Sequence, residues 1–308
     1  MKPPAITGVP DTAFMVAAWR AAESERPDAL FHDPYATLLA GARGLDLAEH
    51  LSGHRIGRWQ VVVRTVIIDR MLRDAVQAGA ATVLNLGAGL DARPYRLDWP
   101  ATLRWIEVDF PEVIAWKEQR LQAARPTCQI ERVRLDLTDA AARRRLFARV
   151  SAESPSTLIL TEGVVPYLTT DAAGALADDL RAIRGARWIV DYLSPESMRF
   201  RKRLRISRQM RAAPFQFAPP DWFAFFEAHG WRPLDITYVP IEARRLGRPP
   251  PLPRWVKLAV RAARLLRRSG APDGFRKSVG YVLLEPLQKN RWDTTPNSGT
   301  RIASDQSV

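Results

Sequence analysis

The sequence predicts an α/β fold built on a doubly wound, mainly parallel β-sheet. Its central part alternates short apolar runs with amphipathic stretches, which is typical of successive strand–helix–strand units. A glycine turn follows the first apolar run directly, as in open sheets that bind a ligand at the carboxyl ends of their strands. Residues 11–80, ahead of this alternation, have a helical pattern. We therefore expect one α/β unit preceded by a helical cover.

Seven apolar runs are candidate strands. Helical stretches near 111–125, 139–150 and 171–184 lie between the first five, so we expect parallel pairing with right-handed crossovers. A further helix near 220–229 precedes the last two runs. The candidate strands are residues 82–86, 103–108, 130–135, 157–161, 187–192, 233–240 and 280–286.

The domain boundaries follow from the same patterns. We predict a helical cover over residues 1–80, an α/β core over residues 81–286 and a disordered tail over residues 287–308. A basic, proline-containing insertion at residues 242–278 separates the last two candidate strands. The chain can be explained without a second folded domain.

Positive charge is concentrated in two segments. The formal net charge is +13 at pH 7, residues 199–211 carry seven basic residues and no acid, and residues 242–278 carry eleven basic residues and two acids. These segments account for the whole excess, so the rest of the chain is close to neutral. We expect them to meet an anionic partner or to form a solvated arginine-rich face.

Residues 254–268, inside the insertion, predict a basic amphipathic helix. We favour a lid that turns its apolar side to an active site, with contact to an anionic membrane surface or a plain solvated helix as alternatives. We expect no nucleic-acid partner, because the sequence has no interleaving of aromatic and basic residues and no known RNA-binding module.

Cysteine and histidine usage excludes two kinds of site. Cys128 is the only cysteine, so no internal disulfide can form and a cytoplasmic location fits best. The four histidines are not spaced as metal ligands, so we expect no metal site. No long uncharged apolar run and no signal-peptide pattern is found, which argues against a membrane-spanning or secreted chain.

The glycine turn lies within residues 82–100, "TVLNLGAGLDARPYRLDWP". Gly87 and Gly89 allow a positive φ and a close approach of the backbone to a ligand. The dinucleotide-binding pattern would place its third glycine at Ala92, a substitution that this pattern tolerates. Asp91, however, would repel a pyrophosphate in a partly desolvated turn. A cationic ligand without phosphate, such as S-adenosylmethionine, would suit the turn better.

Acidic residues end the next three candidate strands. Glu107 and Asp109 close the second, where an acid can bind both hydroxyls of a ribose. Asp136 follows the third and can accept from an adenine amino group, while Leu137 can pack on the ring. Glu162 follows the fourth. Acids also favour the amino end of a following helix, which is the alternative explanation for these positions.

Four motifs resemble a known family. "LNLGAGLDARPYRL", "WIEVDFPEVIAWK", "RLDLTD" and "LTEGVVPYL" are similar to the leucine carboxyl methyltransferase family, and most similar to a bacterial branch that includes polyketide O-methyltransferases. "TAFMVAAWRAAESERPDALFHDPYA" and "RTVIID" resemble the segment that precedes these motifs in the family. The resemblance covers roughly residues 11–195. It implies a class I methyltransferase (Rossmann-like) fold and S-adenosylmethionine as the cofactor.

The resemblance also implies a cofactor site. Arg64 would hold the cofactor's carboxylate, and Glu162 would lie near its amino end or the reaction centre. A surface ion pair of Arg64 with Asp69 or Asp74 is the alternative. The implied cofactor-binding residues are Arg64, Gly87, Ala88, Gly89, Asp91, Asp109, Asp136, Leu137 and Glu162.

The acceptor is constrained only by chemistry. No histidine lies in the motifs, so no dedicated base is evident, and this favours an anionic small-molecule acceptor with a carboxylate or an acidic hydroxyl. A polyketide-type metabolite would fit the resemblance. Tyr167 is a candidate for contact with the acceptor, or else a packing residue. An NAD(P)-linked reductase and a non-catalytic basic binding module remain alternatives.

Overall fold

A seven-stranded sheet forms the centre of the molecule in the computed structural model, which describes residues 8–50, 54–203, 212–251 and 276–287. The sheet order is β3-β2-β1-β4-β5-β7-β6. The strands are β1 (Thr82–Leu86), β2 (Arg104–Asp109), β3 (Gln129–Arg134), β4 (Thr157–Thr161), β5 (Ala186–Leu193), β6 (Trp231–Tyr238) and β7 (Val279–Pro286).

The pairing confirms the doubly wound α/β prediction. β1 to β5 are parallel, and β1 lies between β2 and β4, so the strand order reverses beside it. A ligand crevice is expected at such a reversal. β7 runs antiparallel between β5 and β6. The predicted bounds of β1 and β4 match the structure, whereas the run predicted at 233–240 is shifted, because β6 begins at Trp231 and a helix begins at Val239.

Helices cover both faces of the sheet. The helices among the described residues are α1 (Val9–Ser24), α2 (Ala36–His50), α3 (His54–Gln77), α4 (Arg93–Arg96), α5 (Pro111–Arg120), α6 (Ala140–Glu153), α7 (Thr170–Leu180), α8 (Pro195–Arg203), α9 (Trp222–Ala228) and α10 (Val239–Arg245), with a 3₁₀ turn at Val165–Tyr167. None of these helices is long and apolar enough to cross a membrane.

The pleat of each strand divides the core into two layers. Leu84 of β1 packs in the layer that includes residues of α6, α7 and α9, whereas its neighbour Val83 packs in the layer that includes residues of α3 and α10. All five residues of β1 and of β4 are buried, as expected for parallel strands covered on both faces. The two central strands are therefore anchored from both sides, which fixes the positions of the turns that follow them.

The N-terminal helices lie over the carboxyl end of the sheet. α1 packs against α2 and α3. Arg20 of α1 donates through Nε to Asp33 Oδ2 at 2.8 Å and through Nη2 to the Leu90 carbonyl oxygen at 2.5 Å. Because Leu90 belongs to the turn after β1, this buried arginine joins the helical cover to the glycine turn.

Parts of the predicted basic segments and tail lie outside the described residues. These parts are residues 204–211, residues 252–275 with the predicted basic helix, and residues 288–308. The first residues of the predicted insertion, 242–245, belong to helix α10, which packs against α3. Glu242 of α10 accepts from Arg70 of α3 at 2.5 Å.

Candidate functional site

A cavity of about 390 Å³ lies at the carboxyl ends of β1 to β5. Turns that follow these strands form one side of it, and α1, α3 and the 3₁₀ turn form the other. The structure brings all nine predicted cofactor-binding residues to this one cavity: Arg64, Gly87, Ala88, Gly89, Asp91, Asp109, Asp136, Leu137 and Glu162.

The turn after β1 requires glycine at its first position. Gly87 has a φ of +65°, and a Cβ there would lie 2.4 Å from Val164 Cγ2. The N–H groups of Gly87 and Ala88 donate to the Val108 carbonyl oxygen at 2.8 and 3.0 Å, so the turn is tied to β2. Gly89 also has a positive φ, of +48°. The prediction that both glycines adopt a positive φ is confirmed.

Asp109 lies beside this turn and faces the cavity. Its Oδ2 accepts from the Gly89 N–H at 2.6 Å and its Oδ1 from the Phe110 N–H at 2.7 Å. Each carboxylate oxygen keeps a free lone pair, as a diol-binding carboxylate needs. Burial raises the pKa of Asp109 despite these hydrogen bonds.

Glu107, the other acid of the same strand, does not line the cavity. It is fully buried, where Lys117 Nζ lies 2.6 Å from Oε1 and Arg132 Nε lies 3.0 Å from Oε2. Its two oxygens are therefore used by structural ion pairs. Sequence spacing alone had left the choice between Glu107 and Asp109 open, and the pleat of β2 resolves it, because residues two apart share a face but only the last one reaches the strand end.

Asp136 and Leu137 lie at the opposite end of the cavity from Glu162, since β3 and β4 flank the β2–β1 pair. Asp136 is exposed, and its Oδ1 accepts from the Thr138 N–H at 2.8 Å. Leu137 is half-buried. The order of the strands thus places Asp136, Asp109 and Glu162 in a row along the cavity, from β3 to β4.

Arg64 and Glu162 form a partly buried ion pair at the β4 end, with side chains 19% and 14% exposed. Arg64 Nε lies 2.8 Å from Glu162 Oε1, although its N–H is not aligned for a hydrogen bond. Burial opposes ionisation of Glu162, but the charges of Arg93 and Arg64 outweigh it and hold the pKa of Glu162 below its ordinary value. The alternative partner Asp69 is instead bound by Arg93 and Arg96.

Asp91 departs from the sequence-based expectation. It accepts from the Asn85 side chain, from the Arg93 backbone N–H and from Arg93 Nη1, each at 3.0 Å. Burial opposes its ionisation, but the charges of Arg93 and Lys117 hold its pKa well below the usual range. The Asp91 carboxylate is therefore not free, because it is paired with Arg93, two residues later, and this pairing weakens the repulsion of a pyrophosphate that the sequence indicated.

Asp191 and Tyr281 are ionisable residues of the cavity that the sequence did not predict. Asp191 of β5 accepts from the Gly163 N–H at 2.8 Å and is hydrogen-bonded to Tyr281, its direct partner on β7. Burial raises the pKa of Asp191 to about 6, although the charge of Arg64 opposes this shift. The aspartate in "RWIVDY" was the only feature of the sequence that could have indicated Asp191. No feature near Tyr281 indicated that an antiparallel strand would place it beside Asp191.

Apolar side chains line the rest of the cavity. Tyr167 contacts Phe215 edge to face, with ring centroids 4.8 Å apart, and both face the cavity. Met15, Trp19 and Val61 line the same part and pack in one cluster with Tyr167 as a partly buried neighbour. Tyr167 thus packs against its neighbours and also lines the cavity, and its contact with an acceptor stays a prediction.

Metal and thiol chemistry find no support at this site. The described residues include no group of three or more histidine, cysteine, aspartate or glutamate side chains suited to a metal ion. Cys128 is buried away from the cavity, and burial raises the pKa of its thiol to about 12.

The groups that line the cavity fit S-adenosylmethionine. Arg64 offers a cation for an amino-acid carboxylate, Glu162 an anion for an ammonium group, and Asp109 two acceptors for a ribose diol. Leu137 offers an apolar surface for a purine. The turn of Gly87 and Gly89 exposes backbone to the cavity, where a ligand chain can approach it.

The strand order, with β7 antiparallel between β5 and β6, is the class I methyltransferase arrangement. Solved structures agree at the level of the fold. A DUF574 family protein from Streptomyces avermitilis MA-4680 superposes with a TM-score of 0.52 at 15% identity, covering 88% of this chain and 96% of that one. A candidate methyltransferase from Thermobifida fusca YX gives 0.51 at 17% identity, covering 82% and 93%.

Sequence comparison is more specific. The family model for leucine carboxyl methyltransferase matches residues 13–181. A candidate S-adenosyl-L-methionine-dependent methyltransferase of Parafrankia sp. (strain EAN1pec) is 35% identical over 259 residues, covering 77% of this chain and 82% of the relative. One of Mycobacterium avium (strain 104) is 34% identical over 266 residues, covering 78% and 84%.

The chain therefore belongs to the leucine carboxyl methyltransferase family. It is an S-adenosylmethionine-dependent methyltransferase, and neither the reductase nor the non-catalytic module considered from sequence is supported.

Proposed function

We propose that the protein transfers a methyl group to an oxygen atom of an anionic small molecule, either a carboxylate or an acidic hydroxyl. The observation that carries the proposal is the line of charged groups along the cavity, in which Asp109 lies between Asp136 at the β3 end and the Arg64–Glu162 pair at the β4 end. Such a line suits a ligand with a diol in its middle and an amino acid at one end.

The cofactor would lie along the carboxyl ends of the strands. Asp136 and Leu137 would hold the adenine, Asp109 the ribose hydroxyls, and the turn of Gly87, Ala88 and Gly89 the methionine chain. Arg64 would bind the carboxylate and Glu162 the ammonium group. When bound, S-adenosylmethionine supplies an activated methyl group. The residues of this chain orient it and exclude water, which contributes much of the rate in well-aligned reactions.

The acceptor would enter beside β4 and β5, next to the apolar side chains that include Tyr167 and Phe215. A carboxylate acceptor needs no base, whereas a hydroxyl gains from one. No histidine lines the cavity among the described residues, and Asp191 is the carboxylate there whose pKa of about 6 suits proton uptake near neutral pH. Asp191 therefore supports the hydroxyl form of the proposal.

Two finer points rest on sequence alone. A polyketide-type acceptor follows from the resemblance to one bacterial branch of the family. A cytoplasmic setting follows from the single cysteine.

The cofactor site is tested by isothermal titration of the wild-type protein and Asp109→Ala with S-adenosylhomocysteine, beside an NADPH control. We expect saturable binding that weakens at least roughly hundredfold in the variant, because two charge-assisted hydrogen bonds to the ribose are lost. Exposed Arg232, which pairs with Glu285 at 2.7 Å on the far edge of the sheet, offers a neutral control as Arg232→Gln. No binding to the wild-type protein would overturn the assignment.

The acceptor group is tested with deuterated-methyl S-adenosylmethionine and the matched probes 4-methylphenol, which keeps its proton at neutral pH, and 4-methylbenzoate. Labelled ether indicates hydroxyl transfer and labelled ester indicates carboxylate transfer. Asp191→Asn should slow ether formation by roughly 10²–10⁴-fold and leave ester formation within about threefold, since only the hydroxyl has a proton to lose. Equal effects on both probes would contradict a role for Asp191 as base.

A further inference from the structure

Arg93 is a buried arginine that does not line the cavity yet joins three elements behind it. Its side chain is 3% exposed. Its Nε lies 2.7 Å from Asp69 Oδ1 on α3, and its Nη1 lies 3.0 Å from Asp91 Oδ2 after β1 and 2.8 Å from Glu162 Oε2 after β4. One guanidinium thus links the cover helix α3, the glycine turn and the carboxylate at the β4 end.

The charge balance around Glu162 depends on this link. Asp91 is a second carboxylate bound to the same Nη1, so its negative charge opposes ionisation of Glu162, as burial does. Arg93 and Arg64 are the cations that counter both effects. A guanidinium stays protonated in proteins and holds carboxylates in a fixed planar geometry. Without Arg93, Arg64 would be the cation left to counter burial and the charge of Asp91 at Glu162.

We propose that Arg93 is a positioning residue that keeps Glu162 ionised and oriented for the ammonium group of the cofactor. The inference rests on the proposed function, in which Glu162 binds that ammonium group. Arg93 touches neither cofactor nor acceptor and acts through Glu162. Its contact with Asp91 also couples the shape of the glycine turn to the same carboxylate.

Other titratable groups face Glu162, and they must be the same in all the variants that a test compares. Arg64 approaches from α3, Asp91 from the turn after β1, Asp191 from β5 and Tyr281 from β7. Asp109 adds a further pH effect on cofactor binding from β2, since its pKa is also raised. All of these groups remain when Arg93 alone is changed.

Arg96 provides a matched control in the same cluster. It is 2% exposed, and its Nη1 and Nη2 both donate to Asp69 at 2.7 Å. Removing it costs a buried ion pair to the same aspartate that Arg93 binds. Its hydrogen bonds do not go to Glu162, so its loss should destabilise the fold without changing the proton affinity of that carboxylate.

The experiment is titration of wild-type protein, Arg93→Gln and Arg96→Gln with S-adenosylhomocysteine between pH 7.5 and 5.5, with thermal unfolding of each variant as a check on folding. In Arg93→Gln the pKa of Glu162 rises, so Glu162 becomes protonated within this pH range. The loss of affinity between pH 7.5 and pH 5.5 should therefore be at least roughly tenfold larger in Arg93→Gln than in Arg96→Gln. The pH effects of Asp109 and Asp191 are common to all three proteins.

Each outcome decides between the two proposals. Binding by all three proteins with the same pH profile would overturn the role of Arg93 while keeping the cofactor site. Absence of binding by the wild-type protein would remove the proposed site and this inference with it.

Arg93→Lys carries the test if Arg93→Gln does not fold. One ammonium cannot span three carboxylates, so Arg93→Lys should also lose more affinity than Arg96→Gln as the pH falls, but by a smaller margin than Arg93→Gln. A pH profile equal to that of Arg96→Gln would again contradict the proposal. Glu162→Gln, which lacks the proton-accepting carboxylate, should show weak binding without the excess pH dependence.

Discussion

The two ends of the cavity differ in how their residues are brought together. At the β1–β3 end, Gly87, Gly89 and Asp136 lie within three residues after the end of their strand, and a short sequence motif predicts each of them. At the β4–β5 end, Glu162 is held by arginines from α3 and α4, and Asp191 is paired with Tyr281, 90 residues later in the chain. The β1–β3 end is thus formed by turns of residues close together in the chain. The β4–β5 end is formed by side chains that the fold brings together from distant elements.

This difference explains why the interacting ionisable side chains with shifted pKa values cluster at the β4–β5 end. The β1–β3 end uses backbone N–H groups as donors, and its exposed member, Asp136, bonds within its own turn. The β4–β5 end brings together two interacting pairs of ionisable side chains, the partly buried Arg64 and Glu162 and the buried Asp191 and Tyr281, and the charges of each pair act on the other. Burial of interacting charges shifts pKa values and is a common property of reaction centres.

The largest expected effect tests the β4–β5 end. Arg64→Gln should weaken S-adenosylhomocysteine binding by roughly two to three orders of magnitude, because a buried partner of a charged ligand group is lost. Titration calorimetry measures this change. Arg70→Gln on the same helix is the control, since Arg70 is 42% exposed and pairs with Glu242 outside the cavity. Similar losses in both variants would indicate a general effect on α3 instead.

A second prediction concerns stability at the same end. The pKa of Asp191 is about 6 in the fold against an ordinary 3.8, so the folded state binds its proton more tightly than the unfolded state and loses stability as the pH rises through 6. Asp191→Asn should therefore raise the free energy of unfolding at pH 8, by up to about 3 kcal/mol.

Denaturant unfolding at pH 8 and pH 4.5 checks this prediction. The gain should shrink at the lower pH, where Asp191 is protonated in the folded protein. The asparagine amide oxygen can still accept from the Gly163 N–H. A gain that is equal at both pH values would show that packing, and not the buried charge, is responsible.

The β1–β3 end is tested by two glycine substitutions. Gly87→Ala should cost about 1–2 kcal/mol more than Gly79→Ala, because both positions have a positive φ but only the Cβ at Gly87 meets another side chain, Val164. Only Gly87→Ala should also weaken S-adenosylhomocysteine binding. Chemical denaturation and calorimetry on both variants measure the two effects, and equal destabilisation would argue against the close approach of Val164.

The smallest effect is expected at the β3 end. Asp136→Ala should weaken S-adenosylhomocysteine binding by roughly fivefold to tenfold, since an exposed carboxylate contributes about 1 kcal/mol through one hydrogen bond. Titration calorimetry measures it, with exposed Asp178 of α7, which pairs with His229, as the control position. A loss as large as that of Arg64→Gln would break the proposed ranking of the two ends.

Residue patterns along the chain were enough to predict the strands and the glycine turn. Alternating apolar runs predicted all seven strands and the glycine turn, because strand burial and positive-φ turns depend on residues that are neighbours in the chain. The family motifs carried the nine residues that the structure brings around one cavity. Local patterns can do this because parallel strands present their carboxyl ends at one edge.

The pairing of charges became visible in the three-dimensional structure and could not be predicted from the chain. The structure showed that Arg93 pairs with Asp91, that Glu107 pairs with Lys117 and Arg132, and that an antiparallel β7 brings Tyr281 to Asp191. The physical reason is that an ion pair or a pKa shift depends on distance and burial between residues far apart in the chain. Spacing along the sequence does not encode these quantities.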